Sequence, residues 1–385
     1  MIYLDHAATT PTDPKVVEAM LPYFTEYFGN PSSIYGIGCD NKAALKEARK
    51  TVAEALNCDP NEIIFTGSGT ESDNLAILGV CQAYLVKNKK PGHIITSKIE
   101  HHAVLHVAEY LEKARGFEVT YLAVDKDGLV DPKELKKTIK ENTCLASIIY
   151  ANNEVGTVQD IKALAEICHK EDVLFHTDAC QAMGYLSVDI QELGVDLMTI
   201  NGSKIYGPKG TGALFVKKGV KLKPQILGGG QERGLRAGTE NVPGIIGFAK
   251  AVELTSTERE RNYQKVLELK NKLLARILKE VPDVTSNGHP DKRLPNNINV
   301  SVKGVEGESL LLRLDGKGIY VSTGSACSSG SLDPSHVLLA LGIPVESAHG
   351  SLRLTLGKQN SEKDIEEFMH VFPGIVEDLR KISAL

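Results

Sequence analysis

The feature that most constrains how this chain folds is a regular alternation of short apolar segments with helix-length stretches over its first two thirds. Seven segments have the length and residue types of buried strands: Glu62–Thr66, His93–Ser97, Phe117–Leu122, Leu145–Tyr150, Val173–Asp178, Val195–Ile200 and Gly212–Val216. Helical stretches fall between them, from Thr70 to about Val86 and from about His102 onward. This alternation predicts an α/β fold with a mainly parallel seven-stranded sheet flanked on both faces by helices.

The remainder is organised differently. Residues 239 to 281 form a long, highly charged helical stretch that bridges to a second unit. There the pattern predicts strands at Asn297–Val302, Ile319–Val321 and Leu352–Leu356, a helix at about Glu306–Leu314, and a closing helix from Ser361. At 385 residues the chain exceeds one compact domain, so two are expected. The division expected is a large domain over 15–255 and a smaller α+β domain over 1–14 and 256–385. The first dozen residues carry no periodicity of their own.

Composition excludes several classes. Net charge is -5, with no basic run and no interleaving of aromatic with basic residues, so no nucleic-acid partner is expected. No apolar stretch approaches the ~20 residues of a membrane span. The start, Met1-Ile2-Tyr3-Leu4-Asp5-His6, has neither a basic nor an apolar leader segment, so a cytoplasmic location is expected. The seven cysteines (39, 58, 81, 144, 168, 180 and 327) are scattered, odd in number and without ligand spacing. Neither a disulfide framework nor a metal site is expected.

Ligands of open α/β sheets gather at the carboxyl ends of the strands, and the polar, aperiodic residues concentrate there. Gly67-Ser68-Gly69-Thr70 follows a strand and opens a helix, which suits an anion or simply a tight turn. It is neither a dinucleotide fingerprint nor a P-loop. Asp178 ends a strand, where it would cap a helix or pair with a buried cationic nitrogen. Lys204 follows the strand ending at Ile200, and a lone loop lysine is ordinarily a surface residue. Together, an amine, an acid and an anion cradle are the parts that pyridoxal 5'-phosphate (PLP) requires. Arg353 alternates with leucines, as a solvent-facing arginine or as a clamp for a substrate carboxylate. Cys327 lies in Ser322-Thr323-Gly324-Ser325-Ala326-Cys327-Ser328-Ser329-Gly330-Ser331, without a large apolar neighbour within four residues. The other six cysteines sit in ordinary helix or strand contexts. An exposed thiol in such a loop points to a reactive role.

An ordered set of motifs carries a resemblance: Tyr3-Leu4-Asp5-His6-Ala7-Ala8, Gly29-Asn30-Pro31-Ser32-Ser33, Thr66-Gly67-Ser68-Gly69-Thr70-Glu71, Glu100-His101, Asn152-Asn153-Glu154, Asp178-Ala179-Cys180-Gln181, Tyr206-Gly207-Pro208-Lys209-Gly210 and Arg236-Ala237-Gly238-Thr239, with Cys327 and Arg353. Over essentially its whole length the chain resembles the cysteine desulfurases of the NifS/IscS type, fold-type I PLP enzymes. The resemblance implies removal of sulfur from L-cysteine, giving L-alanine and a persulfide on Cys327. That sulfur would pass to an acceptor, such as an iron–sulfur scaffold or a tRNA-thiolation protein. It implies that Lys204 holds PLP and moves protons, Asp178 meets the ring nitrogen, Gln181 meets the ring hydroxyl, and His101 stacks on the ring and takes part in proton transfer. Gly69 and Thr70 would cradle the phosphate, Asn153 would lie beside ring and substrate, and Arg353 would hold the substrate carboxylate. The enzyme would be a homodimer, with Thr239 reaching the phosphate of the other subunit.

The chain departs from the family at Asn201-Gly202-Ser203-Lys204, where relatives usually read Ser-x-His-Lys. Asn201 and Ser203 still offer hydrogen bonds to the phosphate, but a positive charge is lost, worth ~1.5–3 kcal/mol. Weaker PLP retention is expected. The rival readings are another fold-type I enzyme, such as an aminotransferase or a selenocysteine lyase, and a scaffold that kept the fold without the chemistry.

Overall fold

The structure is a computed structural model that describes residues 1–323 and 333–382. Its strands in chain order are β1 (Ile2–Tyr3), β2 (Ile63–Thr66), β3 (His93–Ser97), β4 (Glu118–Leu122), β5 (Thr143–Ser147), β6 (Leu174–Asp178), β7 (Leu197–Asn201), β8 (Gly212–Val216), β9 (Val284–Ser286), β10 (Asn297–Val302), β11 (Ile319–Tyr320) and β12 (Ser351–Thr355). The seven expected strands, β2 to β8, form one sheet of order β2-β8-β7-β6-β5-β3-β4. Every neighbouring pair is parallel except those made by β8, which runs antiparallel to both β7 and β2. Strands β2, β3, β5 and β8 are buried at every position, as expected for a sheet covered on both faces. Strand β5 ends at Ser147, short of the expected Tyr150. Its neighbour β3 has ended by then, while Ile148 and Tyr150 still donate to His176 O and Asp178 O of β6.

Helices Gly69–Asn88 and His102–Arg115 cover one face through Leu75, Val80, Val104 and Leu111. The other face is covered by Gly36–Leu56 and the start of the long helix Val242–Glu280. The helix Gly36–Leu56 was not anticipated. In its buried stripe of Leu45, Ala48, Val52, Ala53 and Leu56, three of the five are alanine or valine, which gives a weak periodic contrast. Its stop is more legible, since Asn57 takes the left-handed conformation (φ 55°) common just beyond a helix end.

A separate core joins the two chain ends. Val266, Leu269, Leu273 and Ile277 of the long helix pack with Ile298 and Val300 of β10, Leu352 and Leu354 of β12, and Phe368 and Phe372 of the closing helix Glu362–Ile382. Ile2 and Leu4 belong to the same core. The unplaced N-terminal residues pair β1 in parallel with β11 and then run on to β12, with Thr355 N donating to Leu4 O at 2.7 Å. Two strand residues are too few to show a period, hence the blank in the sequence pattern. The long helix spans 39 residues, ~58 Å, and serves both cores: Ile245, Phe248 and Val252 on the sheet, Val266 to Ile277 on the other. Among the described residues, no helix is long and apolar enough to cross a membrane.

Candidate active site

A cavity of about 420 Å³ opens at the carboxyl ends of the parallel strands. After β2 the chain turns into the helix Gly69–Asn88, which Ser68 caps by accepting from Glu71 N at 3.1 Å. The helix therefore offers the N–H groups of its first residues, Gly69 and Thr70, to an anion in the cavity. Glycine is needed at 69, because a Cβ there would lie 2.7 Å from Cys180 Sγ and 3.3 Å from Asn201 Nδ2. Beyond β3, His101 caps the helix His102–Arg115, its Nδ1 accepting from Ala103 N at 3.1 Å, which assigns the proton of a neutral ring to Nε2. The extension of β5 carries Asn153. Strand β6 ends at Asp178, whose Oδ1 accepts from Cys180 N at 2.9 Å, and Gln181 follows. Strand β7 delivers Asn201, then Ser203 and Lys204 in a single tight turn.

The opposite wall comes from the other core. Arg353 of β12 is 2% exposed, not the solvent-facing residue its alternating strand suggested in isolation. Its Nη2 meets Asp5 Oδ1 at 2.7 Å, Nη1 donates to Asn153 O at 3.0 Å, and Nε is buried without a hydrogen-bond partner among the described residues. Ala7 and Ala8 complete that wall: Gln181 Nε2 donates to Ala7 O at 2.9 Å, and Lys204 Nζ donates to Ala8 O.

Ten of the expected residues thus line one cavity: Gly69, Thr70, His101, Asn153, Asp178, Gln181, Asn201, Ser203, Lys204 and Arg353. Thr239 is not brought to it; it is exposed, in a loop held near the helix start by the Arg236–Glu71 ion pair at 2.9 Å. Cys327 lies outside the described residues. Of the six remaining cysteines, Cys180 is not in an ordinary context, as its thiol lines the cavity. Asp5, Ala7, Ala8, Asp73 and Cys180 were not singled out as site residues, although all fall within or beside the motifs quoted above. Among the described residues no cluster is arranged to hold a metal ion.

Burial governs the electrostatics. It lowers the His101 ring below its usual range, with the Lys204 and His106 charges adding to it and Asp178 opposing, so the ring is neutral near pH 7. Beneath the site lie two fully buried carboxyls. Glu100 is pushed up to about 8 by burial, although Ser97 Oγ donates to it at 2.5 Å and Ile149 N at 3.0 Å. Asp73 is raised by burial and by the neighbouring Asp178 charge. His176, lowered to about 4 by burial, stays neutral among them, bonded to Ser147 Oγ at 2.8 Å and Thr199 Oγ1 at 3.1 Å.

These residues fit PLP. A helix N-terminus and the Asn201 and Ser203 side chains can receive a phosphate. Asn201 Nδ2 already lies beside Gly69, 3.3 Å from where a Cβ there would stand, and can donate to such an anion. Asp178 offers a carboxylate to a ring nitrogen, and Lys204 an amine to an aldehyde. Fold and cavity together define a PLP-dependent enzyme of fold type I.

The model of the aminotransferase class-V family matches residues 2–368. A cysteine desulfurase IscS of Methanosarcina thermophila is 54% identical over all of this chain and 94% of its own length. The cysteine desulfurase IscS of Dictyoglomus turgidum is 52% identical over 99% of this chain and 96% of its own. A solved NifS-like protein superposes with a TM-score of 0.92 at 38% identity, covering 98% of this chain and 100% of that one. The chain belongs to the aminotransferase class-V family, within its cysteine desulfurase branch.

Proposed function

We propose that this protein removes sulfur from L-cysteine, releasing L-alanine and leaving a persulfide on Cys327. The observation that carries this is a buried guanidinium, that of Arg353, lining the same cavity as Lys204, Asp178 and the helix opening at Gly69. Such an arginine calls for an anion, and the carboxylate of an amino acid supplies one.

When bound, PLP supplies an electron sink for the negative charge developed at the substrate Cα. Arg353 binds the substrate carboxylate, aimed by Asp5 and by Asn153 O. Lys204 moves the proton at Cα, as the side chain that also holds the cofactor. Asp178 would hold the ring-nitrogen proton, Gln181, held by Ala7 O, would meet the ring hydroxyl, and neutral His101 would lie against the ring and is suited to passing a proton. The Cys327 thiolate attacks the substrate sulfur: a sulfur–sulfur bond forms, the carbon–sulfur bond breaks, and its electron pair is protonated as the methyl of alanine. The sulfane sulfur then passes to an acceptor protein.

Several features support the wider reading. Large apolar side chains are exposed at Leu21, Phe24, Phe28, Ile34 and Leu227, as a homodimer interface requires. Exposed Thr239 is then available to the partner's phosphate. Division into 15–255 and 1–14 with 256–385 fits the separate cores, with the boundary inside the long helix. A cytoplasmic setting fits the six free thiols.

Incubating the purified protein with L-cysteine and a reductant should yield alanine and sulfide in equal amounts. Lys204→Ala should abolish the visible absorbance of lysine-bound PLP and lower turnover by at least ~10³-fold. Transfer of the amino group to a keto acid without sulfide would make the protein an aminotransferase instead.

A further inference from the structure

Glu154 is a buried carboxyl that none of these steps uses. Its main chain is fixed on three sides. Glu154 N and Val155 N donate to Asn152 Oδ1, each at 2.9 Å. Glu154 O accepts from Asn297 Nδ2 at 3.0 Å and Asn299 Nδ2 at 3.2 Å, both on β10. The side chain so aimed meets one group in particular: Ser335 Oγ donates to Glu154 Oε2 at 2.5 Å. Ser335 in turn caps the helix His336–Ala340, accepting from Leu338 N at 3.2 Å. His336 Nε2 bonds Glu100 O at 3.0 Å.

The place of Ser335 in the chain gives this contact its meaning. It lies eight residues after Cys327. At the other end of the same segment, Ser322 exchanges backbone hydrogen bonds with Arg353, at 3.2 and 2.7 Å. Arg353 donates to Asn153 O, one residue before Glu154. Both roots of the Cys327-bearing stretch are therefore fastened to the same short wall, Asn153–Glu154 and Arg353, which faces the substrate. A thiol that must meet a sulfur within about half an ångström gains from roots fixed to the residues that fix the substrate.

We infer that Glu154 is a positioning residue for sulfur transfer, fastening the root at Ser335 to the wall that holds the substrate carboxylate. This rests on the desulfurase reading. A structural role alone would lower stability and PLP content together. Positioning instead affects one step.

The test is single-turnover formation of the Cys327 persulfide in the PLP-loaded protein, read as the mass of one added sulfur. Glu154→Leu, which keeps bulk but has no acceptor for Ser335, and Ser335→Ala should each slow it by about tenfold, and the double variant by no more than either alone, since both break one link. Ser335→Thr, which keeps the hydroxyl, should remain within about twofold of the parent. KM for cysteine and PLP content should stay within about twofold throughout. Unchanged persulfide formation in Glu154→Leu and Ser335→Ala, additive losses in the double variant, or parallel loss of PLP would each overturn the inference while leaving the desulfurase reading intact. Absence of a persulfide in the parent protein would overturn both.

Discussion

The two walls of the active-site cavity are built by opposite means. The sheet-side wall is assembled from strand ends: His101, Asp178, Asn201 and Lys204 each sit within a few residues of a strand in the seven-stranded sheet. The facing wall is assembled from distant pieces, with Arg353 bonded to Asp5 across 348 residues and Ala8 receiving Lys204 across 196. The first wall is set by the hydrogen-bonded strands of one sheet. The second exists only once the chain ends have packed together. The first wall carries the groups that suit the cofactor, and the second carries the one that suits the substrate. The fold thus separates holding PLP from choosing what it acts on.

The strongest way to break that division is at Arg353. Arg353→Ala removes the only guanidinium among the described lining residues and leaves half-buried Asp5 without its partner. The expected loss in kcat/KM is ~10²–10³-fold, most of it in KM, with PLP content unchanged. Asp5→Asn keeps the arginine and loses only its aim, so about a tenfold loss is expected. If either variant instead sheds PLP, measured by absorbance of the purified protein, the two walls are not independent.

The same contrast decides what could be read from the sequence. Lys204, Asp178 and Gly69 were legible because each follows a run of apolar residues whose length marks a strand, and the chemistry sits where such strands end. The strand set β2 to β8 was legible for the same reason. Arg353 was visible as a candidate, but its burial was not: its strand alternates, and what covers its polar face is the N-terminal residues, which have no period. Glu154 and Asp73 were invisible as site residues, since a burial that raises a carboxyl comes from the whole surrounding fold. Helix Gly36–Leu56 failed on contrast, its buried stripe being partly alanine.

A smaller effect tests how rigid the sheet-side wall is. The Glu100 carboxyl is raised from the usual range to about 8 by burial, so the folded state prefers it protonated. The stability this gives is fully present below the ordinary carboxylate value and is lost as pH rises through about 8, at about 1.4 kcal/mol for each unit of elevation. Glu100→Gln, which mimics the neutral form, should therefore flatten the fall in Tm between pH 5 and 8, with the gap to the parent widening as pH rises. An unchanged pH dependence would mean that Glu100 ionises freely and that the floor of the site is wetter than its zero exposure indicates.

The smallest effect falls at Ser203. Around Gly69 and Thr70 the phosphate end offers neutral donors: helix N–H groups, the Asn201 amide and the Ser203 hydroxyl. A phosphate held by such donors gains from the helix dipole but lacks a paired charge. Ser203→His introduces an imidazole where relatives of the desulfurase type carry one. Beside a phosphate its pKa rises, so the added contact is charge-assisted below that pKa and an ordinary hydrogen bond above it. PLP release, followed by loss of absorbance on dilution, should slow by about tenfold at pH 6 and by less at pH 8, close to the ~1.5 kcal/mol of one charged hydrogen bond. KM for cysteine should not move, because the substituted residue stands on the cofactor's wall and Arg353 on the substrate's. Equal release rates at both pH values would show that the neutral cradle already saturates the phosphate, and that the lost positive charge carries no penalty in this chain.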